Sequence, residues 1–350
     1  MRNHLVSGIF GARHAINPAR LRAAWDLIGN EVGRHAGLRL LDDYDPDKRL
    51  IVMIHGLGGG QLAWARLSNE IRGSPELRTC FQVWHVLYHA NAPTLVLRRR
   101  VQRYLDEAWS ALDPEGDAAA RSGIVLIGHS LGGVVARMLC VESGDALWST
   151  AFTVAPQTVQ ASTGDGTDIK SVFCFQPYPG VSRAIFMAAP HKGSPNADLW
   201  LGRLFRALVG GRSPEIQSLS RFARDHPDMV DEALRVTYQQ ARVNSISTLQ
   251  VSQPIRRAGE SLMPMAGIDY HTIAAFLPDE EPASDGAVPL SSALLAGAAS
   301  TLVVKSGHDI YDHDQAVAEV LRIRREDVIE RRSGSTEASR DSTAVGQVSM

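Results

Sequence analysis

The chain has 350 residues, of which 44% are hydrophobic and 21% are charged, and its net charge is −2. This composition is that of a globular protein with a large core, and the near-neutral charge gives no electrostatic reason to expect nucleic acid or an anionic membrane as a partner. No apolar run is long enough to span a bilayer, and the short amino-terminal apolar stretch is a poor secretory signal. We therefore expect a cytoplasmic protein.

Apolar runs and turn signals predict strands that alternate with helices along most of the chain. Residues 1–48 are basic and loosely patterned, with one helix predicted over 18–31, and we treat them as an amino-terminal extension. The later predicted elements are strands at 49–54, 81–88, 123–128, 184–188, 267–276 and 301–305, and helices at 94–112, 131–142 and 314–325. This alternation predicts a largely parallel sheet with right-handed crossovers.

Two long segments interrupt this alternation. They cover about residues 143–180 and 198–243, and the second carries an apolar stripe formed by Leu201, Leu204, Phe205 and Leu208. Both follow strands that should end near the candidate site, so we expect them to form a cap over it. Residues 332–350 are rich in Ser, Thr, Gly and charge, which predicts a disordered tail and leaves 49–331 as the main domain.

A serine stands between the strand predicted at 123–128 and the helix after it. Residues 128–132 read Gly-His-Ser-Leu-Gly, the G-x-S-x-G pattern of a tight strand-to-helix turn that exposes a nucleophile. Gly128 and Gly132 are expected because a side chain at either position would collide with the neighbouring strand or helix. Ser130 is therefore the candidate nucleophile, in a strained backbone conformation. The alternative is an ordinary turn with a surface serine.

A serine hydroxyl needs a base to take its proton and an acid to orient that base. In sheets that carry such a turn, these residues follow one another along the chain in the order serine, acid, histidine. Asp285 follows the strand predicted at 267–276 and is the candidate acid, with a plain Asp-Gly turn as the alternative. His308 ends the last predicted strand and is the candidate base. His313, five residues further on, is the alternative base.

The charge that develops on the substrate oxygen requires backbone N–H donors that are already in place. Leu131, directly after the serine, is expected to supply one of them. The glycine-rich loop at 55–60 is expected to supply the other from Leu57, with Gly58 as the alternative. A phosphate-binding role is disfavoured because this loop lacks the Lys-Ser/Thr pair of nucleotide-binding loops.

Three further histidines lie near these segments. His55 and His129 flank the glycine-rich loop and the serine, and we expect them to shape the turns rather than to titrate in catalysis. His191 follows a predicted strand, where it either lines the pocket or packs within its own loop.

Four segments, taken in order, resemble the α/β-hydrolase superfamily, in the bacterial lipase and esterase branch related to GPI inositol-deacylases. They are residues 55–59, 128–133, 189–194, and 284–289 with 306–308. Residues 189–194 (Ala-Pro-His-Lys-Gly-Ser) are similar to the Thr-Pro-His-Arg-Gly-Ser block of that branch. The resemblance spans about 49–325 and implies the α/β-hydrolase fold with an inserted cap. It also implies the five site residues that the pattern indicates: Ser130, Asp285, His308, Leu57 and Leu131.

These features predict a serine hydrolase that cleaves carboxylic esters of small molecules or lipids through an acyl-serine intermediate, with no cofactor or metal ion required. The apolar stripe at 201–208 suggests a lid over an acyl pocket, and a helix packed permanently on the core is the alternative. Two other functions stay open: an acyltransferase that passes the acyl group to an alcohol, and a non-catalytic binding module that kept the fold.

Overall fold

The computed structural model describes residues 36–57, 59, 61–89, 92–159, 168–195 and 213–345, with side chains described up to residue 330. Two predicted elements of structure lie outside these residues. One is the helix predicted at 18–31. The other is the apolar stripe of the predicted cap, which comprises Leu201, Leu204, Phe205 and Leu208.

Seven strands of the described chain form one sheet in the order β1-β3-β2-β4-β5-β6-β7. They are β1 (Gly37–Leu40), β2 (Arg49–Ile54), β3 (Phe81–Leu87), β4 (Ile124–His129), β5 (Val181–Met187), β6 (Asp269–Phe276) and β7 (Ser300–Lys305). β1 is antiparallel to β3, and the other neighbouring pairs are parallel. All six predicted strands are present, which confirms the predicted, largely parallel sheet.

Helices connect the strands and cover both faces of the sheet. They are α1 (Ala65–Gly73), α2 (Pro75–Cys80), α3 (Thr94–Leu112), α4 (Leu131–Met138), α5 (Ala146–Ala151), α6 (Lys170–Phe173), α7 (Pro214–Asp225), α8 (Glu232–Gln239), α9 (Pro254–Ala258), α10 (Leu290–Ala293) and α11 (Asp314–Val345). None of the helices in the described ranges is both long enough and apolar enough to cross a bilayer.

Strand β2 shows why helices are needed on both faces. Leu50, Val52 and Ile54 belong to one apolar core, and Ile51 and Met53 belong to the core on the opposite face. Successive strand residues point to opposite faces, so a continuous apolar run is stable only when both faces are covered. Full burial of each such side chain contributes about 1.5–3 kcal/mol.

The two cores are completed by helix stripes that the 3.6-residue periodicity predicts. Helices α3 and α4 pack on the first face, and α1, α2 and the first turns of α11 pack on the second. The predicted inner residues of α3 and α11 are all buried: Leu97, Val101, Tyr104, Leu105, Ala108, Val317, Val320 and Leu321. The prediction of these two faces is confirmed.

The ends of the sheet and of two helices differ from the prediction. Strand β1 lies in the segment treated as an extension, so the sheet begins before residue 49. Helix α4 ends at Met138 rather than near residue 142. Helix α11 continues to Val345, through most of the segment predicted as a disordered tail from residue 332. Residues 326–345 contain no proline and one glycine. A glycine lowers helix stability by only about 1 kcal/mol relative to alanine, so the helix can continue through this stretch.

The two predicted cap segments contact each other. Thr153 N donates to Met229 O at 3.0 Å, and Asp231 N donates to Ala151 O at 2.9 Å. Beneath these backbone bonds lies an aromatic cluster formed by Trp148, Phe152, Phe173, Phe222 and Tyr238. The described parts of residues 143–180 and 198–243 therefore pack against each other.

Candidate active site

The predicted site residues meet at the carboxyl edge of the parallel strands. Leu57 follows β2, Ser130 follows β4, Asp285 lies in the loop after β6, and His308 follows β7. The carboxyl ends of parallel strands lie at the same edge of a sheet, which is where open α/β sheets bind ligands. The topology thus brings together residues that are far apart in sequence.

Ser130 lies in the sharp turn between β4 and α4. Its backbone angles are φ 54° and ψ −125°, a conformation that a residue with a side chain rarely adopts. The turn is held by hydrogen bonds: Ser130 N donates to Met187 O at 2.8 Å, and Gly133 N donates to Ser130 O at 2.9 Å.

Close backbone packing explains the glycines around Ser130. A Cβ atom on Gly128 would lie 2.4 Å from Gly132 O, and a Cβ atom on Gly132 would lie 2.1 Å from Ile54 O. A Cβ atom on Gly56 would lie 2.8 Å from the Cβ atom of Ser130. The expectation that a side chain at 128 or 132 would collide with its neighbours is therefore confirmed.

Ser130, His308 and Asp285 form a continuous chain of hydrogen bonds. Ser130 Oγ lies 2.8 Å from His308 Nε2, and His308 Nδ1 lies 2.8 Å from Asp285 Oδ2. Only 1% of the Asp285 side chain and 13% of the His308 side chain are exposed. Because a carboxylate only accepts hydrogen bonds, a neutral imidazole in this position donates from Nδ1 to Asp285, and its Nε2 can then accept from the hydroxyl.

The loop after β6 fixes the carboxylate of Asp285. Its other oxygen, Oδ1, accepts hydrogen bonds from Ala287 N at 2.9 Å and Val288 N at 2.7 Å. Ser284 and Pro289 pair across the loop as an isolated antiparallel bridge. The Asp-Gly pair does form a turn, and the turn aims one carboxylate oxygen at His308 while the backbone holds the other.

His313, the alternative base, lies apart from this chain of hydrogen bonds. It precedes α11, and its backbone carbonyl accepts from Val317 N at 2.9 Å. Its Nδ1 atom is buried and contacts no hydrogen-bond partner within the described part of the chain. Of the two candidate bases, only His308 bonds to both Ser130 and Asp285 in the structure.

The two predicted N–H donors lie beside Ser130. Leu131 is the first residue of α4, where backbone N–H groups have no acceptor within the helix. Leu57 lines a small cavity together with Ser130. The other residues that line this cavity are Pro190, Ser194, Ile246, Leu249, Ala287 and Val288. Gly58, the alternative donor, lies outside the described residues.

A family model described as "Alpha/beta hydrolase family" matches residues 51–320, which include all of this geometry. The chain belongs to the alpha/beta hydrolase family. No curated protein sequence matches it.

Solved structures to which the chain is similar include two lipases and one esterase. The mature lipase BlEst2 of Bacillus licheniformis is 16% identical, with a TM-score of 0.46, and the match covers 82% of this chain and 97% of that one. Esterase B of Lactobacillus rhamnosis is 13% identical, with a TM-score of 0.44 and coverage of 91% and 94%. Lipase 1 of Pelosinus fermentans is 12% identical, with a TM-score of 0.45 and coverage of 75% and 93%.

In this α/β-hydrolase, His129 contacts the backbone of the candidate base. Its Nε2 atom lies 2.9 Å from His308 O, and its ring packs against the rings of His308 and Tyr311 at 4.9 Å. Burial lowers the pKa of His129 to about 3, so the ring is neutral and donates from Nε2. The sequence indicated a role in shaping the turn but gave no sign of this distant partner.

His55 holds the loop after β2. Its Nδ1 atom bonds to Gly56 O at 2.8 Å, and its Nε2 atom accepts from Tyr88 N at 3.3 Å. Tyr88 stacks on the imidazole and donates its hydroxyl to His55 O at 2.6 Å. Burial lowers the pKa of His55, which agrees with a neutral, structural imidazole. Tyr88 is a residue that sequence reasoning missed.

Residues 190–194 are bound to the loop that carries Asp285. Ser194 Oγ donates to Ala287 O at 2.7 Å, and Ser292 Oγ donates to Gly193 O at 2.6 Å. Lys192 N also donates to Ser292 Oγ at 3.1 Å. The sequence indicated Ser194 only as part of a motif and gave no sign of Ser292. The hydrogen bonds of these two side chains join segments about 100 residues apart, which no local pattern reports. His191, in contrast, does not line the cavity at Ser130 but lines a second cavity.

Proposed function

We propose that this α/β-hydrolase cleaves carboxylic esters through an acyl-serine intermediate. The observation that carries the proposal is the chain of two 2.8 Å hydrogen bonds from Ser130 through His308 to Asp285. This is the arrangement that converts a poorly nucleophilic hydroxyl into a reactive one, because a base is placed to receive its proton.

In the first half of the reaction, Ser130 Oγ attacks the ester carbonyl carbon while its proton passes to His308 Nε2. The carbonyl oxygen becomes an oxyanion, and the backbone N–H groups of Leu57 and Leu131 stabilise it. Each such donor contributes about 10²–10³ in rate. The intermediate collapses to the acyl-serine, and the alcohol leaves with the proton from His308.

In the second half, water attacks the acyl-serine carbon and passes a proton to His308 Nε2. Collapse of the second oxyanion releases the carboxylic acid and returns the proton to Ser130 Oγ. Asp285 stabilises the imidazolium that forms in each half of the reaction. The backbone N–H groups of Ala287 and Val288 bind its other carboxylate oxygen and so hold the side chain in place. The balance of the reaction is one ester and one water converted to one acid and one alcohol.

The surroundings of Ser130 favour an acyl substrate. The cavity at the hydroxyl is lined mostly by apolar groups, including Leu57, Ile246, Leu249 and Val288. We further propose that the predicted cap segments cover this site. The packing between the described parts of residues 143–180 and 198–243 supports a single cap unit.

Within the family, we propose the bacterial lipase and esterase branch related to GPI inositol-deacylases. The block at 189–194 supports this placement, because its backbone and Ser194 bind the loop that carries Asp285. A side chain at Gly193 would meet Leu249 O at 2.6 Å, and Gly193 has a positive φ of 81°. The glycine of the block is thus required by this loop geometry.

Ester hydrolysis by variants tests the proposal. With p-nitrophenyl acyl esters, we expect the Ser130→Ala and His308→Ala variants to lose about four to six orders of magnitude in kcat. His313→Ala is the matched control and should retain wild-type activity. Full activity of His308→Ala together with loss in His313→Ala would contradict the assignment of the base.

A chain-length series of esters, run below and above the concentration at which the substrate forms an interface, would define the substrate. A jump in rate at the interface would indicate a lipase with a mobile lid. Saturation on short, dissolved esters would indicate an esterase with a fixed cap. Added alcohols that capture most of the acyl group in competition with water would instead indicate an acyltransferase.

A further inference from the structure

A second cavity lies beside helix α4, and Ser130 is not among the residues that line it. Its volume is about 40 Å³, and its polar lining includes His191, Arg137, Thr94 and Thr248. Residues 190–194 separate the two cavities, since Pro190 and Ser194 line the one at Ser130 and His191 lines this one. Nothing in the proposed ester hydrolysis uses this cavity.

His191 places an unpaired imidazole at this cavity. The residue is 1% exposed, and neither ring nitrogen has a hydrogen-bond partner in the described part of the chain. Its ring packs edge-on against Phe186 at 5.0 Å, and its backbone N–H already donates to Ala189 O at 2.9 Å. A neutral imidazole has one donor and one acceptor nitrogen, and burying such a group without a partner is unfavourable.

Arg137 places a buried positive charge at the same cavity. It is 2% exposed, its Nη2 donates to Gly259 O at 2.9 Å, and its Nε has no partner among the described residues. No described carboxylate forms an ion pair with it, because nearby Glu260 is bound to Arg256. The single carboxylate of Glu260 therefore balances only one of the two guanidinium groups of Arg137 and Arg256. One positive charge stays unbalanced, although buried charges are normally paired.

We propose that this cavity binds a small monovalent anion of the halide type. The anion accepts hydrogen bonds from Arg137 Nε and from one protonated ring nitrogen of His191, and it balances the guanidinium charge. A cavity of about 40 Å³ has room for a monatomic ion or a few water molecules. The bound anion would fix the His191 ring and so steady residues 190–194, whose other side lines the candidate active site.

Bromide is the direct probe, because it scatters X-rays anomalously. Crystals of the full chain grown in chloride-free solution with sodium bromide should show an anomalous peak at hydrogen-bond distance from Arg137 Nε and from the His191 ring. The proposal is overturned if that cavity holds only water, or no ordered density, at a bromide concentration that labels other sites.

Thermal unfolding supplies an independent test in solution. At constant ionic strength, replacing gluconate by chloride or bromide should raise Tm until the site saturates, since a ligand bound only to the folded state stabilises it. Arg137→Met should abolish this halide response. Arg257→Gln is the matched control, because Arg257 is an exposed arginine on the neighbouring helix α9 and its loss should leave the response intact. An equal response in Arg137→Met and in the wild type would refute the proposal.

Discussion

The Nε2 atom of His129 lies 2.9 Å from the backbone carbonyl oxygen of His308, although 179 positions separate the two residues. His308 O also accepts from Ile310 N at 2.9 Å, so two donors hold the peptide that carries the candidate base. His129 directly precedes Ser130. The residue before the candidate nucleophile therefore positions the base that is proposed to activate it.

Replacement of His129 tests this positioning role. His129→Phe keeps a ring of similar size but removes the donor, and we expect kcat to fall about tenfold with little change in KM, because a hydrogen bond is worth about 1–1.5 kcal/mol. His129→Gln retains a side-chain N–H group and should recover part of the loss. His89→Phe, at an exposed position, is the control. An unchanged kcat in His129→Phe, measured on a folded variant, would refute the positioning role.

Asp285→Asn separates the two functions of the carboxylate. Asparagine can still accept the backbone bonds from Ala287 and Val288 through its carbonyl oxygen, so the loop should keep its shape. Its amide group would face His308 Nδ1 and favour the wrong tautomer, and we expect kcat to fall about 10⁴-fold. Steady-state ester kinetics should show this fall in kcat in a variant whose unfolding midpoint is unchanged. A near-normal kcat would exclude Asp285 as the acid.

Gly132→Ala should prevent the turn at Ser130 from forming. The new Cβ atom would lie 2.1 Å from Ile54 O, a contact that only a backbone shift can relieve, and we expect a loss of about 3 kcal/mol in the free energy of unfolding. The matched control is Gly73→Ala at the end of α1, where a Cβ atom meets nothing within 4 Å. That change should be neutral or stabilising by up to about 1 kcal/mol. Urea unfolding that gives the two variants equal stability would contradict the packing described here.

Stability should depend on pH through the buried histidine His85, which bonds to Ser68 Oγ at 2.8 Å. Burial lowers the pKa of His85 to about 4, whereas in the unfolded chain it titrates near about 6.5. The unfolded state therefore takes up the proton first as pH falls, and stability is lost between about pH 6.5 and 4 at up to about 1.4 kcal/mol per pH unit. Above that window His85 contributes no pH dependence.

Urea unfolding of His85→Gln at pH 7.5, 5.5 and 4.5 measures this contribution. The variant should show a shallower loss of stability below pH 6.5 than the wild type. His89→Gln, which changes an exposed histidine, should keep the wild-type slope. A slope in His85→Gln equal to that of the wild type would show that this histidine is not the source of the acid sensitivity.

Strong local patterns made much of the fold predictable. The bounds of β2 and α3 agree with the prediction residue for residue, because a dense apolar run and a clear 3.6-residue stripe leave few alternatives. Strand β1 was missed because its four residues, Gly-Leu-Arg-Leu, carry too short a pattern to stand out. Its place beside β3 is set by pairing with a distant segment, which no local signal reports.

The same distinction applies to the candidate site. The G-x-S-x-G pattern and the order serine, acid, histidine indicated Ser130, Asp285 and His308, which the structure joins by hydrogen bonds. The partners of His129, Ser194 and Ser292 were not predictable, because each bonds to a segment about 100 or more residues away. Such contacts exist only once the sheet has brought its carboxyl ends together.

The most direct test of ester cleavage by Ser130 is to locate the covalent adduct formed with a fluorophosphonate probe by peptide mass spectrometry. We predict a single stoichiometric adduct on the peptide that contains Ser130, and no adduct in the Ser130→Ala variant. An adduct on another serine that persists in Ser130→Ala, or an unlabelled wild-type protein that still hydrolyses esters, would contradict the account.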